Sequence, residues 1–264
     1  MIHKLGKLAV RHDPRTLRLA KYLPKVLPSF PATCDWSSKV PAWNMLANDS
    51  VGDCTCASAG HMLMAWTAND STEFVPTDSQ IISAYSDITG YDPKTGTNDN
   101  GAVELDVLNY WRKKGIAGKK IQAYVKLEPG PDHLKAACWL FGGVYIGVSL
   151  PVEAQNQTVW DVTPGEKPGS WGGHAVPVVD YNSTGPVVIT WGEKKQMTWP
   201  AYNSWCDEAY AVLSLDWTGP DNLTPNGFDL VQLISDLREF DDNVSVESPS
   251  LWSRFKAWWS KLFD

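Results

Sequence analysis

Gly52-Asp53-Cys54-Thr55 opens the run Cys56-Ala57-Ser58-Ala59-Gly60-His61-Met62-Leu63-Met64-Ala65-Trp66. The run predicts an apolar helix that starts at Asp53 and continues to about Asn69. A cysteine at such a start carries chemistry, because free N–H groups and the positive end of the helix dipole favour a thiolate over a thiol. A nearby imidazole would then hold the charge as an ion pair. The segment that supplies one is Gly172-Gly173-His174-Ala175-Val176, where His174 heads a strand-like run and its glycines let another backbone approach. The other histidines fit less well: His61 lies about two turns along the cysteine's own helix, and His3, His12 and His133 stand in polar or terminal stretches. On residue chemistry alone, Cys54 and His174 would equally suit a buried thiol and a core histidine.

Outward from these two segments the chain divides by pattern. Residues 1–33 carry basic side chains and four prolines (Pro14, Pro24, Pro28, Pro31) and read as an extended arm. A second helix follows Pro76-Thr77-Asp78, where Thr77 or Asp78 can cap. Tyr91 to Gly101 is a loop, and a third helix spans Ala102 to Lys114 and stops at Gly115. The second half is strand-like: Ile121–Lys126, Gly143–Leu150, His174–Tyr181, Pro186–Trp191 and Ala209–Leu215. Helices first and antiparallel strands later predict an α+β fold, a helical half packed on a sheet half, with the cleft between them as the place for a site. The main domain is expected over 34–240. An acidic linker follows over 241–249, then an amphipathic, Trp-rich helix over 250–264.

Composition narrows the function. A net charge of -7 argues against nucleic acid as a partner, and no apolar run is long enough to span a bilayer. The N-terminus shows no secretory signal, so a cytoplasmic location is expected. Five cysteines are too few and too scattered for a disulfide framework, and none stands at zinc-ligand spacing. Cys34, Cys138 and Cys206 read as small buried hydrophobes, and neither a metal nor an organic cofactor is expected.

Several short motifs then line up in order. Pro31-Ala32-Thr33-Cys34-Asp35-Trp36 resembles the mature start of papain-family cysteine peptidases, and Trp36 stands at the family's distance before Cys54. Asn48 occupies the position of the family's oxyanion-hole Gln, and Gly52-Asp53-Cys54 resembles its Gly-Ser-Cys. Asn100-Gly101-Ala102 is similar to the Asn-Gly-Gly loop that contacts the substrate backbone. His174-Ala175-Val176 through Tyr181 is similar to the family's histidine strand. The resemblance covers about residues 31 to 215. It implies a papain-like fold, catalytic roles for Cys54, His174 and Asn48, and substrate contacts at Gly101 beside those read for Gly173.

The sequence also departs from the family. Thr55 replaces the Trp after the cysteine, and only residues 1–30 precede the match, where the family has a long inhibitory segment. The Asn that orients the histidine has no clean counterpart: Ile189 stands in its place, leaving Thr190 or the late Asn203-Ser204-Trp205 as the third group. The chain also looks similar to bacterial and phage proteins that share its Gly-Asp-Cys-Thr and Gly-Gly-His-Ala-Val elements. Two readings result. One is a cysteine hydrolase acting on a peptide or amide. The other is a structural or attachment protein of a phage virion, with an idle site on a papain-like scaffold. The C-terminal helix suits docking on a neighbouring subunit, a protein partner or a membrane surface.

Overall fold

A computed structural model describes residues 3–16, 18, 30–70, 72–218 and 223–226. The expected linker and C-terminal helix lie outside them. The first helix, α1 (Cys54–Asp70), is buried along nearly its whole length, with only Ala68 and Asp70 reaching solvent. A helix apolar on all sides has no face to give to water, so it becomes the centre of the core. Helix α2 (Asp78–Thr89) starts at a capping box in which Thr77 and Gln80 exchange side-chain bonds to backbone, and it ends at Gly90 in the left-handed conformation. Helix α3 (Glu104–Lys113) begins two residues later than the sequence suggests. The reason is that Ala102 gives its N–H and C=O to residues 6 and 8 rather than to a helix.

The sheet half is built from β1 (Cys34–Asp35), β2 (Ala123–Lys126), β3 (Val144–Leu150), β4 (Gly172–Tyr181), β5 (Pro186–Thr190), β6 (Glu193–Gln196) and β7 (Cys206–Leu213). The strands run in the order β2-β7-β3-β4-β5-β6, each pair antiparallel, and β1 pairs with the far end of β4. This is the expected α+β architecture. Two further helices, α4 (Pro131–Phe141) and α5 (Trp199–Trp205), complete it.

Tryptophans fasten the two halves. The last carbonyls of a helix have no partner within it. At the end of α4, three of them accept indole N–H groups: Cys138 O from Trp36 (3.0 Å), Phe141 O from Trp66 (3.0 Å) and Leu140 O from Trp217 (3.1 Å). Asp180 ties β1 to β4, accepting from the Trp36 and Ser37 amides and the Ser37 hydroxyl at 2.6–2.9 Å. Buried polar groups of this kind are satisfied, so they fix register without a desolvation penalty left over. Packing of α1 on β4, with Ser58 Oγ donating to Ala175 O at 2.7 Å, brings the head of the helix to the head of the strand.

Candidate functional site

Cys54 is the first residue of α1 and His174 the third of β4. The loop entering the helix carries Leu46 and Ala47 at positive φ, strain of about 1–3 kcal/mol each that the packed surroundings must hold. Cys54 Sγ accepts the N–H of Ala175, the residue after His174, at 3.4 Å. His174 Nε2 lies 2.8 Å from Thr190 Oγ1 on the adjacent strand β5, while its Nδ1 has no hydrogen-bond partner. With Nε2–H donating to the hydroxyl oxygen, the neutral ring keeps a free lone pair on Nδ1. Trp191 lies against the imidazole, ring centroids 4.5 Å apart and nearly parallel, and His3 stacks at 4.2 Å on the same indole.

The space over the pair is filled by the chain's own arm. Residues 3–8 run between the two halves. Lys7 N–H donates to Gly173 O (3.1 Å), Leu8 N–H to Ala102 O (3.0 Å), Ala102 N–H to Gly6 O (2.8 Å), and Trp191 Nε1 to Lys4 O (3.1 Å). Gly6 sits so close to the loop before the cysteine that a Cβ there would lie 1.7 Å from Gly52 O. Only glycine fits.

Burial sets the protonation states. Desolvation pushes the Cys54 thiol up to about 12, against the opposing pull of N–H groups from Ala175 and Gly6. Desolvation likewise lowers His174 to about 3. The covered pair is neutral thiol and neutral imidazole. In the closed chain the loss of water outweighs the helix dipole expected to favour a thiolate at Cys54.

The described part of the chain can be set beside solved structures. It is similar to xylellain, a cysteine protease from Xylella fastidiosa, at 16% identity and a TM-score of 0.60, over 80% of this chain and 96% of that one. The fold is papain-like. Two further structures agree: procathepsin L 3 of Tenebrio molitor larval midgut (16% identity, TM-score 0.53, 75% of this chain and 74% of that one) and procathepsin B of Trypanosoma congolense (11%, 0.55, 80% and 86%). No protein-family model and no curated protein sequence matches the chain.

Within this papain-like frame the remaining expected residues take definite places. Asn48 is buried, and its Nδ2 donates to Val51 O at 3.1 Å. The same carboxamide bears on Asp53, whose carboxyl burial holds well above the usual range. Gly173 lies under the arm, where a Cβ would come within 2.4 Å of Lys7 O, and Gly101 donates its N–H to Tyr85 OH at 2.8 Å beside Gly6. Of the two options for the third group, Thr190 bonds His174, whereas Asn203 is exposed on α5 with no bond to it. Cys56 and His61 are core residues, the latter bonded to Asn44 O at 2.7 Å. Among the described residues no group of three His, Cys, Asp or Glu side chains is placed to hold a metal.

Sequence reading missed Lys7, Trp191 and the carboxylates Glu104, Asp207 and Glu208. A lysine between Gly6 and Leu8 in a basic stretch looks solvated. Its burial was legible only once the cleft was known.

Proposed function

We propose that this chain is a cysteine hydrolase of peptides or amides, held closed by residues 3–8. The observation that carries the reading is the set of three groups in order: sulfur at a helix start, imidazole at a strand head, and a hydroxyl on Nε2. With the arm withdrawn, water returns and both pKa values move back toward their ordinary ranges. His174 Nδ1 takes the thiol proton, and the sulfur attacks the substrate carbonyl carbon. As the tetrahedral adduct collapses, His174 gives that proton to the leaving amine, leaving a thioester. Water, deprotonated by His174, then releases the acid and restores the thiol. The Cys54 N–H serves the oxyanion, joined by Asn48 if its Nδ2, which donates to Val51 O in the closed chain, turns toward the cleft.

A specific observation favours the other reading, a structural protein with an idle site: the pair is covered and uncharged. Turnover of a broad peptide and amide library separates them. Wild type should be slow, and Gly6→Leu, which expels the arm by a clash with Gly52, should be at least tenfold faster. Cys54→Ala and His174→Ala in the Gly6→Leu background should be inactive. A folded Gly6→Leu protein with no turnover would favour the idle scaffold.

A further inference from the structure

Lys7 is the one buried residue of the arm segment 3–10, while its neighbour Leu8 is 43% exposed. That inverts the usual order, since lysine is among the residues least often buried without a partner. Its ammonium lies 2.9 Å from Asp207 Oδ1 and 3.2 Å from Glu208 Oε1. Glu104 is wholly buried with both carboxylate oxygens lacking a hydrogen-bond partner, and its Oε1 and Lys7 Cε converge over Gly147. Three carboxylates thus face one cation, and they come from both halves of the molecule: Glu104 from α3, Asp207 and Glu208 from β7.

The carboxylates are positioned by the body and not by the arm. Ser149 Oγ donates to Asp207 Oδ2 at 2.8 Å, and Tyr210 OH donates to Glu208 Oε2 at 2.8 Å. Emptied of Lys7, the pocket would keep its shape and leave buried Glu208 and the more exposed Asp207 without their cation, beside a Glu104 carboxyl whose pKa burial pushes well up, a state that calls for a replacement cation. Ala102 holds the backbone on either side of Lys7, at Gly6 O and Leu8 N–H, and Gly173 O accepts the N–H of Lys7 itself, so the pocket lies one residue along from Gly6, whose N–H is directed at the sulfur.

We infer that Glu104, Asp207 and Glu208 form a side-chain subsite for lysine, occupied in the closed state by Lys7, and that the substrates are peptides presenting a basic side chain there. The inference rests on the hydrolase reading for its second half only, because the pocket's preference is measurable without catalysis.

The probe is a labelled peptide of the arm sequence Lys4-Leu5-Gly6-Lys7-Leu8-Ala9, compared with the same peptide carrying Met at the Lys7 position. Binding is read by fluorescence anisotropy on full-length Gly6→Leu/Cys54→Ala protein, with arm displacement checked by hydrogen exchange at residues 3–8. The lysine peptide should bind at least tenfold tighter, and Asp207→Asn or Glu208→Gln should each shrink that ratio several-fold. Equal binding of the two peptides, no binding of either, or a ratio untouched by both substitutions would overturn the subsite. If the Gly6→Leu body fails to fold, Lys7→Met in the Cys54→Ala chain replaces it, with the same outcomes. Preference for the lysine peptide without turnover by the Cys54-containing protein sinks the hydrolase reading alone; turnover with no basic preference sinks the subsite alone.

Discussion

Thr190 and His174 meet across adjacent strands, hydroxyl oxygen to Nε2 at 2.8 Å, under the indole of Trp191. A hydroxyl is a weaker partner for a forming imidazolium than a carboxylate, but it holds the ring through Nε2 and leaves Nδ1 unbonded.

Thr190→Val removes that oxygen with little change of shape. A hydrogen bond to a charged group contributes about 1.5–3 kcal/mol, so kcat/KM in the Gly6→Leu background should fall by about 10- to 150-fold. Thr190→Ser should restore most of the loss and leave the pH profile as in the parent. Unchanged kinetics in Thr190→Val would remove the residue from the site.

Cys54 should resist iodoacetamide in the closed chain. A thiol at about 12 instead of 9.0 holds about a thousandfold less thiolate at pH 8. Labelling should keep rising with pH toward 12 instead of levelling near 9. Because the covered thiol keeps its proton where a free one loses it, closure is fully stabilised below pH 9 and weakens as pH climbs through that window. In Gly6→Leu, peptide mapping should find Cys54 modified first.

His174 should not titrate between pH 5 and 8 in the closed protein, since burial holds it neutral down to about 3. Its ring protons, followed by NMR, should begin to shift in that range in Gly6→Leu. A wild-type midpoint near 6.5 would mean that the arm does not seal the ring.

Cys54 and Cys56 are separable by substitution. Residues two apart on a helix point about 200° from each other, so the two thiols cannot both serve the same imidazole. Cys56→Ala should keep activity and lose about 1 kcal/mol of stability through a small cavity. Cys54→Ala should lose activity and also lose about 1 kcal/mol of stability, since the buried Cys54 sulfur accepts the Ala175 N–H. Activity that survives Cys54→Ala but not Cys56→Ala would exchange their roles.

The order of elements was readable because it rests on local pattern. The apolar run after Cys54, the capping residue Thr77 and the strand-like apolar run His174–Tyr181 each act within a few residues of themselves. Helix α4 was overlooked although Pro131 opens it and Gly142 closes it, both ordinary helix punctuation. The strand β6, Glu193–Gln196, was missed for a different reason: it is an edge strand of charged residues with no apolar face to announce it. At the site, Cys54 and His174 stand in motifs, so they could be singled out. The choice of Thr190 over Asn203, the burial of Lys7 and the neutral state of the pair all depend on segments far apart in sequence meeting in space. No local pattern carries that information.

The arm has a consequence for the order in which the molecule assembles. Residues 3–8 stand earlier in the chain than every element that receives them: Trp191 lies 187 positions after Lys4 and Asp207 lies 200 after Lys7. Contacts of such long range form late, after the sheet that offers them exists. A strand-like segment held by a few bonds at one end of the chain is also the cheapest part to open again. Pulses of iodoacetamide during refolding should therefore catch Cys54 reactive early and protected afterwards. Each molecule, on its way to the closed state, passes through an interval with a finished cleft and nothing in it.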